Sequence, residues 1–186
     1  AYDKLAARLA EVADVFAVAG VELGLETGQE DAETLKAFLQ RLDKPNVGVN
    51  FDPANLILYG KGDPVAAVRT LMPYVRQIHV KDATATKVPG TWGAEVPVGT
   101  GEVDWESFFA VVDEHGLGCD LMIEREAGDR RVEDMRTARA LVERLRPRIE
   151  SLRLGPYTDP EAEMGPLVTR QHLERVKDYI DLGIAE

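Results

Sequence analysis

Val47-Gly48-Val49-Asn50-Phe51-Asp52 is a strand-length apolar run that stops on a residue able to bind a metal. Three other runs in the chain stop in the same way. Val21-Glu22-Leu23-Gly24-Leu25 leads to Glu26, Val75-Arg76-Gln77-Ile78 leads to His79, and Asp120-Leu121-Met122-Ile123 leads to Glu124. The four end residues follow one another at intervals of 26, 27 and 45 residues. The first two intervals fit one strand-plus-helix unit, and the third is the same unit enlarged by a Gly/Pro-rich loop around 89–101. The C-terminal ends of successive parallel strands converge in space, and α/β barrels place their chemistry there. The pattern predicts one Glu/Asp/His/Glu metal site assembled from residues far apart in sequence.

The segments between these runs read as helices. Leu5, Leu9, Val12, Val15 and Phe16 recur at helical spacing over 3–19, and Leu35, Phe38, Leu39 and Leu42 do so over 32–42. Asp63-Pro64 reads as a helix start, with proline at the first helical position and the helix running to about Leu71. Trp105, Phe108, Phe109 and Val112 mark an apolar face over 104–115, and 131–145 is the last helix of the series. Strands alternating with helices indicate a parallel sheet flanked by helices. A closed (β/α)8 barrel needs eight strands in about 250 residues. This chain supplies four, so the expected fold is α/β, a partial TIM barrel of four βα units. Its two open strand edges are an aggregation liability unless covered. The expectation is therefore either pairing with a second copy or a missing N-terminal half.

Composition limits the function classes. The 186 residues carry a net charge of −11, with 45% hydrophobic and 30% charged residues, as in a globular protein with one ordinary core. The acidic balance disfavours nucleic acid, whose phosphates need a Lys/Arg surface. No apolar run approaches the roughly 20 residues that span a bilayer. Cys119 is the sole cysteine and no export leader opens the chain, so a reducing cytoplasm is the expected location.

Each candidate residue also has a purely structural reading. Glu26 could be a helix-start carboxylate, Asp52 a turn residue before proline, and His79 a satisfied core side chain. Glu124 follows a fully apolar run, where a carboxylate needs a metal or a cation such as Arg125 or Lys81. Glu126 projects to the same face two residues on, and competes with Glu124 for the ligand role. Taken together, three carboxylates and one imidazole suit Mn²⁺, Mg²⁺, Co²⁺ or Zn²⁺ and lean away from a thiolate-rich structural zinc site. Two carboxylates facing each other across such a metal can act as base and acid in proton transfer next to a carbonyl. Lys81 and Arg125 are candidate cations for an anionic or hydroxyl-rich substrate, although Lys81 could simply pair with Asp82. Trp92, in the glycine-containing loop 87–93, reads equally as part of a lid over a small polar ligand or of an ordinary surface loop.

Several of these stretches resemble the xylose-isomerase-like TIM-barrel family. They are Leu25-Glu26-Thr27-Gly28, Val49-Asn50-Phe51-Asp52-Pro53-Ala54-Asn55, His79-Val80-Lys81-Asp82, the run 96–105, and Ile123-Glu124-Arg125-Glu126-Ala127-Gly128. The family includes sugar and sugar-phosphate isomerases and epimerases, inosose dehydratases and AP endonucleases. The resemblance implies Glu26, Asp52, His79 and Glu124 as metal ligands at the ends of barrel strands five to eight, with Glu26 and Glu124 as the acid/base pair. Asn55, Lys81, Asp82, Arg125 and Trp92 are the candidate substrate-binding residues. Asn55 stands where several relatives have a histidine, which disfavours the multi-metal DNA-repair branch. The implied reaction is isomerisation or epimerisation of a sugar or sugar phosphate through an enediolate. The alternatives are an inosose-type dehydratase and a non-catalytic metal-binding half-barrel that needs a partner. The tail is different. Residues 140–186, carried by the runs 141–149 and 155–169, resemble a fragment of aldehyde dehydrogenases, closest to the methylmalonate-semialdehyde type. This implies a half-barrel over 1–139 and a helical appendage over 140–186, joined by gene fusion, with no dehydrogenase activity of its own.

Overall fold

The computed structural model describes residues 2–116 and 118–143. The chain divides into two compact units, Ala1–Arg144 and Leu145–Glu186, and the described residues belong to the first. Nearly all of the appendage expected over 140–186 lies outside the described residues.

Helix α1 (Tyr2–Val18) leads into β1 (Leu23–Glu26), α2 (Ala32–Leu42) and β2 (Val47–Phe51). Two helices, α3 (Pro53–Leu58) and α4 (Pro64–Leu71), then cross to β3 (Val75–Val80) through a 3-10 turn at Met72–Tyr74. After β3 come two short strands, β4 (Asp82–Thr84) and β5 (Ala94–Val96), then α5 (Trp105–Glu114), β6 (Asp120–Ile123) and α6 (Arg131–Val142). Strands β1, β2, β3 and β6 form one parallel sheet in that order, and β4 pairs antiparallel with β5 in a separate hairpin. This is a partial α/β barrel: four strands in chain order, with helices between them and no closure among the described residues.

The helix starts follow from local chemistry. Asp31 caps α2 through Thr34 N at 2.7 Å, and Asp63 caps α4 through Ala66 N at 2.7 Å, with Pro64 just inside. Each cap satisfies an amide that the first helical turn would otherwise leave open. Two features differ from the sequence reading. The six-residue α3 is too short to show a period, and the Gly/Pro-rich loop folds part of its length into the β4–β5 hairpin. Gly93 N donates to Leu58 O at 2.8 Å, which pins that hairpin onto the end of α3.

Val47, Val49 and Phe51 of β2 are buried, as are Val75, Ile78 and Val80 of β3. They form the core with Leu35, Phe38 and Leu39 of α2, Val68 and Leu71 of α4, and Phe108 and Val111 of α5. An irregularity sets which residues of β3 face this core. Val49 pairs with Val75 but Asn50 pairs with Gln77, so Arg76 is an extra residue opposite β2. In a strand the side chains alternate between faces, and one inserted residue reverses the alternation beyond it. The bulge therefore turns Ile78 and Val80 into the core and leaves Gln77 and His79 on the opposite face with Asn50. Without it, His79 would point among the helices. Gly48 makes room for the bulge: a Cβ there would lie 2.5 Å from both Tyr74 O and the Arg76 Cγ.

No helix among the described residues is long and apolar enough to cross a membrane. Substituting Gly48→Ala should force the bulge to shift and cost about 1–3 kcal/mol in stability, read as a lower urea midpoint of unfolding. An unchanged midpoint would show that the bulge does not depend on this glycine.

Candidate metal centre

Asp52 ends β2 and caps α3. Its Oδ1 accepts from Ala54 N at 2.8 Å and Asn55 N at 3.2 Å. The other oxygen, Oδ2, is buried without a hydrogen-bond partner. One carboxylate thus starts a helix with one oxygen and leaves the other facing the site. Thr27 fastens the end of β1 to the end of β2: its hydroxyl donates to Asp52 O at 2.8 Å and accepts from Asp52 N at 2.8 Å. Asn55 donates to Glu26 Oε1 at 3.0 Å and Thr27 O at 3.0 Å. It therefore orients Glu26, in addition to the substrate-side position expected for it.

His79 faces these carboxylates from β3. Its Nδ1 is buried without a hydrogen-bond partner. It lies 3.3 Å from Glu124 Oε2, 3.6 Å from Asp52 Oδ2 and 3.7 Å from Glu26 Oε1. The ligand-capable atoms of Glu26, Asp52, His79 and Glu124 all lie within 4.8 Å of one another. Divalent ions bind such atoms at roughly 2.0–2.2 Å, which puts neighbouring ligands about 3–4 Å apart. The spacing fits a shared cation. So does the chemistry, with three carboxylates converging and two buried polar atoms lacking a partner. Glu126, the rival of Glu124, lies outside this cluster, and its carboxylate is taken by Lys81 at 2.6 Å.

The convergence also reports the shape of the sheet. Glu26 ends β1 and Glu124 follows β6, three strand spacings away in the order β1-β2-β3-β6. In a flat sheet that separation is about 14 Å. The meeting of their side chains requires the sheet to curve as an arc around the site.

The other expected site residues fall into three groups. Lys81 is at the centre: its buried ammonium donates to Glu124 at 2.9 Å and to Glu126 at 2.6 Å, and lies 3.5 Å from Asp52 Oδ2. Asp82 and Arg125 sit beside it in structural networks. The Asp82 carboxylate accepts from the amides of Ala83, Gly99, Gly101 and Val103 and from the Trp105 indole, gathering loop 97–105. Arg125 is buried between Glu95 at 2.7 Å and Asp134 at 2.8 Å. Glu95 also accepts from Glu126 N and Ala127 N, so the β4–β5 hairpin grips the loop that carries Glu124. Trp92 is exposed and meets Tyr59 edge-on, with ring centroids 5.1 Å apart. Sequence reasoning missed Asn50, Thr27 and Glu95. Asn50 was detectable, since it lies two positions before Asp52 and so shares its face of the strand.

The electrostatics suit a cation site. Burial raises the Glu26 pKa, and the neighbouring Asp52 and Glu124 carboxylates add to this while His79 opposes it. The adjacent Asp52 carboxylate raises the His79 pKa above its ordinary 6.5, against the effect of burial. Burial works against the Lys81 ammonium, but its bonds to Glu126 and Glu124 win and hold it charged.

A sequence profile of the xylose isomerase-like TIM barrel family matches residues 1–148, and one of the aldehyde dehydrogenase family matches residues 127–186. Among solved structures, a xylose isomerase domain protein from Planctomyces limnophilus is 39% identical with a TM-score of 0.73. The match covers 80% of this chain and 53% of that one. A xylose isomerase-like TIM barrel protein from Mycobacterium smegmatis, in complex with magnesium, is 21% identical with a TM-score of 0.65, over 76% of this chain and 49% of that one. An L-ribulose 3-epimerase is 20% identical with a TM-score of 0.63, over 83% and 59%. The last two likenesses are of fold. The chain spans about half the length of these structures.

Two outcomes follow from the site. Because the folded chain holds the His79 proton more tightly than the unfolded chain, this group stabilises the metal-free protein fully below about pH 6.5, and that contribution is lost as pH rises through the raised folded value. Metal binding needs the neutral ring and should strengthen over the same window. Thermal melts with and without Mn²⁺ across pH 5.5–8.5 should therefore diverge as pH rises, and parallel curves would argue against His79 as a ligand. Glu95→Ala should leave Arg125 with Asp134 as its remaining partner and cost about 1–3 kcal/mol in a denaturant titration; a loss under about 0.5 kcal/mol would show that the hairpin clasp is dispensable.

Proposed function

The chain belongs, through residues 1–148, to the xylose isomerase-like TIM barrel family, and from that premise we propose that it carries the metal-holding half of a divalent-metal-dependent isomerase or epimerase of a sugar or sugar phosphate. The observation behind this reading is the convergence of Glu26, Asp52, His79 and Glu124 around two buried atoms, Asp52 Oδ2 and His79 Nδ1, that have no protein partner. These four residues would hold the cation. Bound there, a divalent cation supplies Lewis acidity toward adjacent carbonyl and hydroxyl oxygens of a sugar.

The chain's own groups then account for the proton. Glu26 and Glu124 approach the site from opposite ends of the sheet. Both carboxylates are partly exposed, so a substrate could reach them. One takes the proton from the carbon next to the carbonyl, giving an enediolate, and the other returns a proton to the same carbon on the opposite face or to its neighbour. The first outcome is epimerisation and the second isomerisation. The raised Glu26 pKa brings that carboxyl closer to neutrality, where a group that must both accept and release a proton works best. Lys81 fixes Glu124 and offsets part of the carboxylate charge.

The open edges support one further element of the reading. Strands β1 and β6 have no partner on their outer sides among the described residues. Turnover would therefore draw on further βα units, from a longer polypeptide or from a second chain, to wall the substrate. The segment 140–186 is read as an appendage without dehydrogenase chemistry of its own.

The test is solvent deuterium incorporation into a panel of ketoses, aldoses and their phosphates, with Mn²⁺, Mg²⁺, Co²⁺ or Zn²⁺ added. Exchange at the carbon next to the carbonyl should fall by about 10²–10⁴-fold in Glu26→Gln and Glu124→Gln. Loss of water from a cyclic polyol, with no epimer formed, would move the reading to a dehydratase. Stoichiometric metal binding without exchange in any substrate would favour a non-catalytic half-barrel. Full activity of both variants would overturn the acid/base assignment.

A further inference from the structure

Asn50 lies on the site face of β2, two residues before Asp52, and its side-chain amide nitrogen is 3.0 Å from Nε2 of His79. Its own Oδ1 is buried and has no hydrogen-bond partner. On the other side of the same ring, Nδ1 is also buried and without a partner, facing Glu26, Asp52 and Glu124. Two orphaned atoms thus flank one imidazole.

With the amide nitrogen toward Nε2, that ring nitrogen must accept. A neutral ring then carries its proton on Nδ1, directed into the carboxylates. This arrangement suits a centre with no cation and is incompatible with Nδ1 as a ligand. Turning the amide by half a revolution exchanges its oxygen and nitrogen without moving another atom. Nε2–H then donates to Asn50 Oδ1, and the Nδ1 lone pair is free to face a metal. The rotation gives Oδ1 a donor and leaves the Nδ1 lone pair for the cation, while the amide nitrogen takes the place that Oδ1 held. A ligating histidine commonly donates its other ring N–H to a fixed acceptor in this way, which sets the tautomer.

The surroundings leave room for this amide. Gly24 of β1 lies against Asn50, where a Cβ would come within 3.2 Å of the Asn50 Cβ. The Arg76 bulge brings His79 onto the same face as Asn50.

We propose that Asn50 is the positioning residue of the centre: its side-chain amide takes one orientation without metal and the opposite one with it, so selecting the His79 nitrogen that meets the cation. The inference rests on the metal reading of the site given above.

The test uses the full chain labelled with 15N-histidine, with Zn²⁺ as a diamagnetic probe and His79→Gln to assign the ring signals. In the wild type, the neutral ring should carry its proton on Nδ1 before metal addition and on Nε2 after it. Asn50→Leu should weaken Zn²⁺ binding by about 10–100-fold. Asn50→Asp, which keeps an acceptor in the same place, should retain binding and the Nε2–H form. Melting curves of both variants without metal control for folding. A wild type that takes up no Zn²⁺ would fail the metal reading itself, and the proposal with it. A wild type that binds Zn²⁺ with the same tautomer and affinity as Asn50→Leu would overturn the role of Asn50 alone. Loss of binding in a folded Asn50→Asp equal to that in Asn50→Leu would also overturn it, because the acceptor would then be irrelevant.

Discussion

The Asp52 carboxylate divides its two oxygens between folding and chemistry. Oδ1 is consumed by the first turn of α3, which fixes the rotamer. The second oxygen is then held, fully buried, where no protein donor reaches it. Leaving a carboxylate oxygen in that state is costly unless a charge meets it. Lys81 stands 3.5 Å away and already serves Glu124 and Glu126. The remaining demand falls on whatever occupies the space among Glu26, His79 and Glu124. Thr27 and Asn55 make the arrangement stiff by tying β1 and α3 to the same point.

Around this centre, charge is handled in two ways. Close to it, one buried lysine neutralises part of a carboxylate cluster. A few residues away, one guanidinium, Arg125, bridges the carboxylates of Glu95 and Asp134. That second network serves architecture. It joins β5 of the hairpin to the loop after β6, and so places Glu124 through the backbone of its neighbours. Asp82 does the same for loop 97–105 by collecting five donors on one carboxylate.

Much of this was legible in the sequence, for a geometric reason. Parallel strands of similar length put their last residues on one rim, so apolar runs ending in Glu26, Asp52, His79 and Glu124 could be read together although none was persuasive alone. Helices α2 and α4 were legible through their caps and apolar spacing. The hairpin was not: Asp82–Thr84 and Ala94–Val96 are three residues each, too short for alternation to show among glycines and prolines. Arg125 looked like a substrate cation because its partners, Glu95 and Asp134, come from elements whose approach depends on that hairpin and on α6. Of the centre's immediate neighbours, Asn50 was within reach of the sequence, since it stands two positions before Asp52 in the same strand run. The Arg76 bulge was hidden because pairing register belongs to two strands at once and to neither sequence alone.

The arc of the sheet brings together carboxylates from its first and last strands. A cation shared by Glu26 and Glu124 would act as a clasp across the open mouth of that arc, so its hold would depend on how tightly the four strands curl. Any element that docks on the outer edges of β1 and β6 sets the same curl. Docking and metal loading would then be thermodynamically linked, each strengthening the other by one common factor. The centre would register from its own ligand spacing whether the rest of a barrel is in place.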